Sequence, residues 1–111
     1  SVSIDCLTLY AADKDFANQV SNNGIILAKK NVEVDKDATV YDVLKASGAK
    51  FAGKQYISSI NGLSEFDAGG ESGWTFLVSG VYSGVGVTVY KVKAGDDVRF
   101  RYTLNGGKDV Q

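Results

Sequence analysis

Residues 73–80 run Gly-Trp-Thr-Phe-Leu-Val-Ser-Gly, so Trp74, Phe76 and Val78 alternate with Thr75, Leu77 and Ser79. Both sides carry apolar groups, which predicts a strand covered on both faces and closed by a Ser79-Gly80 turn. Further on, Val98, Phe100, Tyr102 and Leu104 face one way, while Arg99, Arg101 and Thr103 face the other. That pattern predicts a final strand with one core face and one wet face. At the other end, Val2, Ile4, Cys6, Thr8 and Tyr10 share a face of a strand predicted over 2–10. Residues 11–24 have loop composition and close on an Asn23-Gly24 turn; 25–34 return to strand character, with Ile26, Ala28, Val32 and Val34 on one side. Tyr56 to Ile60 reads as a short strand, and Asn61-Gly62 as a tight turn into 63–66. Residues 87–92 alternate once more, Gly95-Asp96 makes the last turn, and Asn105-Gly106-Gly107 is expected to fray or to link to a further domain.

One helix is expected. Thr39 can accept a hydrogen bond from the first turn, and Asp42 can reach back in a capping box. Val40, Val43, Leu44 and Ser47 then share a side at helical spacing, and Gly48 ends the run. Two turns of helix are not stable alone, so this one must lie on a sheet. Six or seven short strands and one early helix define an α+β class, a small β-grasp-like mixed sheet packed on a short helix.

At 111 residues the chain fits one domain. Its net charge of −1 comes with dispersed basic residues, which excludes a phosphate-tracking stripe and gives no steering to a membrane. Nucleic acid and membrane contact are therefore not expected. The chain starts Ser-Val and holds no Met, which suggests a processed protein or an excised domain. Cys6, the sole cysteine, reads as a buried small hydrophobe.

The chain has no histidine. That removes the usual base near neutral pH and every serine–histidine or cysteine–histidine mechanism within the chain. The acid pairs Asp13/Asp15, Asp35/Asp37 and Asp96/Asp97 read as solvated turn acids, since none lies in a calcium-loop register. No enzyme activity, catalytic residue, metal or resident cofactor is expected. Structural roles fall to Thr39, Asp42, Gly48, Asn61, Gly62, Gly80, Gly95 and Asp96, which cap the helix or set turns. Phe76, Phe100 and Tyr102 read as core, whereas Trp74, Tyr82 and Tyr90 lie at strand ends or beside glycines, where amphipathic rings form contact surfaces. Gly84 and Gly86 would let the backbone approach a flat ligand or a partner surface.

Four blocks carry a family resemblance: Ala38 to Leu44, Tyr56 to Leu63, Gly73 to Gly80 and Tyr90 to Val98. In this order they resemble the C-terminal β-domain of the transcobalamin and intrinsic-factor proteins and of its bacterial relatives. The resemblance implies a single β-grasp domain of the soluble-ligand-binding kind over 1–111, and export in Gram-positive bacteria within a secreted or cell-surface protein. In the vitamin carriers this domain closes over cobalamin held mainly by a separate helical barrel. Carried over by position, the ligand contacts fall at Trp74, Thr75, Phe76 and Leu77, with the loop containing Tyr82 and Gly84 to Gly86 following them; Tyr90 joins the candidate ligand contacts as an amphipathic ring and not through the resemblance. Ser79 departs from the relatives, which often carry asparagine there. The expected function is a non-enzymatic module that recognises a small ligand, a surface protein or a glycan beside other domains of the same polypeptide. Two rivals are half of a carrier site for cobalamin or another small ligand, and a structural spacer in a surface protein.

Overall fold

Parallel pairing of the first and last long strands organises the computed structural model, which describes residues 1–110. Strand β1 (Val2–Asp5) lies in register with β8 (Val98–Thr103), from Val2 opposite Val98 to Asp5 opposite Arg101. Helices α1 (Leu7–Ala12) and α2 (Lys14–Val20) follow β1, and β2 (Ile25–Lys30) returns antiparallel to it. Helix α3 (Val40–Ala46) then crosses over, and a small sheet of β3 (Phe51–Ala52), β4 (Ser59–Ile60) and β5 (Leu63–Ser64) follows. Strand β6 (Gly73–Val78) pairs antiparallel with β8 along its whole length, and β7 (Val81–Tyr82) pairs with the end of β6. The five-stranded order is β2-β1-β8-β6-β7. A hairpin, a crossing helix and a last strand inserted beside the first make this an α+β, β-grasp-like fold.

The core lies between the five-stranded sheet and a second layer made of α3 and the small sheet. Val2, Ile4, Val98, Phe100, Tyr102, Trp74 and Val78 supply the sheet side, and Val40, Val43, Leu44, Ile57, Ile60 and Leu63 the other. Each such aliphatic or aromatic side chain contributes about 1.5–3 kcal/mol when fully buried. The layers are also stitched by polar groups: the Trp74 indole N–H donates to the Leu63 carbonyl (2.8 Å), and the Tyr102 hydroxyl to the Ser64 carbonyl (2.8 Å).

Helix α3 begins in a capping box. Thr39 Oγ1 accepts from Asp42 N–H (3.3 Å), and Asp42 Oδ2 accepts from Thr39 N–H (2.9 Å). The Thr39 hydrogen bonds, first the backbone one, hold the Asp42 carboxyl below its usual range, and Lys45 adds to them. A lowered native pKa means stability present above the unfolded value and lost as pH falls through the native one. Thr39→Ala is expected to cost about 1 kcal/mol. Urea titration from pH 7 down to acid should show that loss near neutrality and a gentler acid decline than wild type. Identical stabilities at every pH would refute it.

Several expectations need correction. The first strand stops at Asp5, and 7–20 form two short helices rather than more strand and a loop. Asp13 caps α2 by accepting from Phe16 N–H (3.1 Å), while Leu9 and Ala17 turn into the core, so packing overrides the two-residue period. The second strand ends at Lys30, not 34. The strand expected over 56–60 shrinks to Ser59–Ile60. Residues 87–92 form a turn and a tie to the helix: Val40 N–H donates to the Tyr90 carbonyl (3.0 Å) and Tyr41 N–H to that of Val87 (2.9 Å). The tail does not fray over its described part. It forms a 3-10 turn, Lys108–Val110, with Val110 fully buried.

Candidate functional site

The covering layer leaves a gap above Phe76. Its cross-strand neighbour Phe100 is fully buried, with ring centroids 5.8 Å apart, but Phe76 itself is only half-buried. Gln55, Tyr56 and Ile57 close one side of the gap, and Ser83, Gly86 and Val87 the other. The resulting groove encloses about 220 Å³. Thr75 and Tyr82 border it as well, although their alternation puts their side chains on the outer face of the sheet. The groove therefore wraps the edge of β6.

Local sequence sets each wall. Gly73 admits the Tyr56 hydroxyl: a Cβ at 73 would lie 3.3 Å from that oxygen and 3.5 Å from Glu65 Cβ. The ring of Tyr56 is exposed while its oxygen is tucked in, and this burial, then Glu65, raises the phenol pKa. It stays a neutral donor and acceptor at physiological pH. On the other side, the Ser83 hydroxyl donates to the Val85 carbonyl (2.7 Å) and accepts from Val85 N–H (3.0 Å). That local turn peels the chain off β6 right after β7. It then passes the other wall at Gly86, where a Cβ would meet the Gln55 carbonyl oxygen at 3.4 Å.

Of the residues singled out from sequence, Trp74, Thr75, Phe76, Tyr82 and Gly86 come together here. Trp74 is 6% exposed, and its indole N–H is already bonded to Leu63, so its side chain offers the groove a ring surface and no free donor. Leu77, Gly84 and Tyr90 lie outside the groove. Leu77 faces the opposite side of the sheet, and the Tyr90 carbonyl anchors α3. Tyr82 turns its hydroxyl outward to the Val110 carbonyl (2.7 Å). Among the structural positions, Asn61 (φ 52°) and Gly62 (φ 84°) form the turn between β4 and β5, and Ser79 (φ 51°) and Gly80 (φ 85°) that between β6 and β7. Asp96 Oδ2 accepts from Lys93 N–H (2.9 Å) across the Gly95 turn. Sequence reasoning missed Gln55, Tyr56, Ile57, Ser83 and Val87 as groove residues. A tyrosine three residues after a glycine was the one visible signal.

A larger space of about 720 Å³ lies between residues 32–37 and 92–96. It carries charges of both signs, Glu33, Asp35 and Asp37 with Lys36 and Lys93. Among the described residues no cluster of three or more metal-ligating side chains exists. Burial raises the Cys6 pKa more than its Ser21 hydrogen bond lowers it, and Asp5 raises it further, so no thiolate is poised for attack.

Fold and groove together define a β-grasp-like module without a catalytic or metal-binding constellation among the described residues. The chain belongs to the family described as "Domain of unknown function (DUF4430)", whose pattern matches residues 37–104. No curated protein matches it. Every groove residue falls inside the matched stretch. Strand β1, the parallel partner of β8, falls outside it.

Proposed function

We propose that this domain is a non-enzymatic recognition module of an exported, cell-surface or secreted bacterial protein, and that it takes its ligand in the groove beside β6. The observation that carries this reading is a half-buried aromatic floor under a gap walled by two tied-back loops. Small-ligand sites are concave and mostly apolar, with a few placed polar groups. Here Phe76, Trp74, Phe100, Ile57 and Val87 supply the apolar surface, and the Tyr56 phenol the polar handle. Exposed Val81, Val85 and Val89 lie on the adjoining strand and loop. This rim would suit contact with a neighbouring domain of the same polypeptide.

The resemblance to the vitamin-carrier β-domains supports the same reading. A groove of about 220 Å³ is below the roughly 300–1,000 Å³ that drug-sized ligands occupy. A ligand as bulky as cobalamin would thus need the rest of its site from another domain.

Titrating the ¹⁵N-labelled domain with p-cresol and with indole, each to millimolar levels, tests the groove. Saturable shifts confined to Tyr56, Trp74, Phe76 and Gly86 are expected. Absence of shifts there with both compounds would favour the spacer role. Unchanged absorbance of a corrinoid mixed with the isolated domain is the companion expectation.

A further inference from the structure

The edge of β6 inside the groove is unfinished. Pairing with β7 covers only Leu77 (opposite Tyr82) and Val78 (opposite Val81). Alternation fixes which groups remain. Ser79 N–H donates to the Asp97 carbonyl on the β8 side (2.7 Å), so residues 73, 75 and 77 also point their main-chain groups toward β8. Trp74 and Phe76 point theirs the other way, into the groove. Among the described residues, no protein group is hydrogen-bonded to the edge-facing N–H of either. The chain could have covered them by continuing β7 past Tyr82. Instead the Ser83 turn diverts it.

We propose that the groove takes an extended peptide segment that adds to β6 as a strand, bonding through its main chain to Trp74 and Phe76. This rests on the groove being the binding site. The complementarity is chemical. The edge offers alternating N–H donors and C=O acceptors, which is the pattern that an extended chain of secondary amides satisfies. Tyr56, Ile57 and Val87 flank that edge and can receive alternate side chains. Trp74 and Phe76 are about 6.7 Å apart along the strand, so three or four ligand residues span the open stretch. The modest volume fits such a short segment. Sheet edges left open are otherwise blunted by charge or covered by other elements. The outer edge strand β2 follows that rule with Lys29 and Lys30, both exposed, whereas the side chains lining the groove at the 74–76 edge are apolar, hydroxyl or, at Gln55, a neutral amide, and none is charged.

The probe is the tetrapeptide acetyl-Val-Thr-Val-Thr-amide, titrated into the ¹⁵N-labelled domain to millimolar levels. Its fully N-methylated analogue keeps the side chains and loses the main-chain donors. Expected are downfield shifts of the Trp74 and Phe76 amide protons, slower hydrogen exchange at both, and affinity at least about tenfold weaker for the methylated analogue, since each unmade polar contact leaves a desolvated group. Equal binding of the two peptides would overturn main-chain pairing and leave the groove as a side-chain site. Silence with both peptides, while p-cresol still shifts Phe76, would overturn the peptide inference alone. Silence with all probes would remove the groove itself.

Discussion

Asp5→Ala is expected to destabilise the domain by about 2–3 kcal/mol. Asp5 ends β1 where the chain turns into α1, and its side chain is 4% exposed. Arg99 Nε lies 2.9 Å from one carboxylate oxygen and Arg101 Nε 3.4 Å from the other, both reaching across from the parallel neighbour β8. The Leu7 N–H at the start of α1 also approaches this carboxylate (3.4 Å). Removing the acid leaves Arg101, 18% exposed, with, among the described residues, only a long side-chain bond of 3.4 Å from Nη1 to the Val110 carbonyl. Breaking a fully buried pair costs about 3–5 kcal/mol. Arg99 is 41% exposed and can rehydrate, which brings the expectation down. The loss should appear as a lower urea midpoint at unchanged slope. A change below about 1 kcal/mol would place the cluster among ordinary surface pairs. Because Asp5 sits on the central parallel pair, the variant also reports how firmly β1 is held by β8.

That cluster shows what the residue pattern could and could not reveal. The alternation of 98–103 identified the core face of β8 because its period is unambiguous, and Arg99 and Arg101 fell on the other face. Nothing local said that a buried carboxylate at position 5 would neutralise them, since parallel pairing joins residues 94 and 96 positions apart. Asn61-Gly62 and the Thr39–Asp42 box were legible for the opposite reason: their hydrogen bonds and φ values are set within four residues. Residues 7–20 misled because Leu7, Leu9 and the acids fit a strand and a loop as well as they fit two helical turns. Only the tertiary fit of Leu9 and Ala17 decides between them. Residues 87–92 misled similarly, since their carbonyls serve the N-terminus of α3 instead of a ladder. Of the groove, the β6 side was readable from the Trp74–Phe76 pattern. The 55–57 wall was not, because its position depends on a backbone contact at Gly53.

Gly53→Ala should expose that dependence. Gly53 has φ +99°, and a Cβ there would meet the Tyr56 carbonyl oxygen at 2.0 Å, its carbon at 3.0 Å and Ser58 N at 3.1 Å. All three are main-chain atoms, so no side chain can rotate away. The turn itself must open. It is closed by Ser58 N–H donating to the Ala52 carbonyl (3.0 Å), and it delivers Ile57 into the core at 4% exposure. Strain at a φ that L-residues avoid and forced overpacking together predict a loss of about 3 kcal/mol. Gly48→Ala is the internal control. Its φ is +81°, but nothing lies within 4 Å of the added carbon, so only the backbone strain of about 1 kcal/mol applies. Both variants should be titrated with p-cresol in the cold without denaturant, with the dispersion of the amide spectrum checking that each is folded. Gly48→Ala is expected to bind as wild type. Gly53→Ala should lose the shifts at Phe76 and Gly86, because Tyr56 and Ile57 no longer line the groove. Equal stability losses in the two variants would show that the 53–56 contact does not set this wall, and retained binding by Gly53→Ala would show that the wall does not matter to recognition.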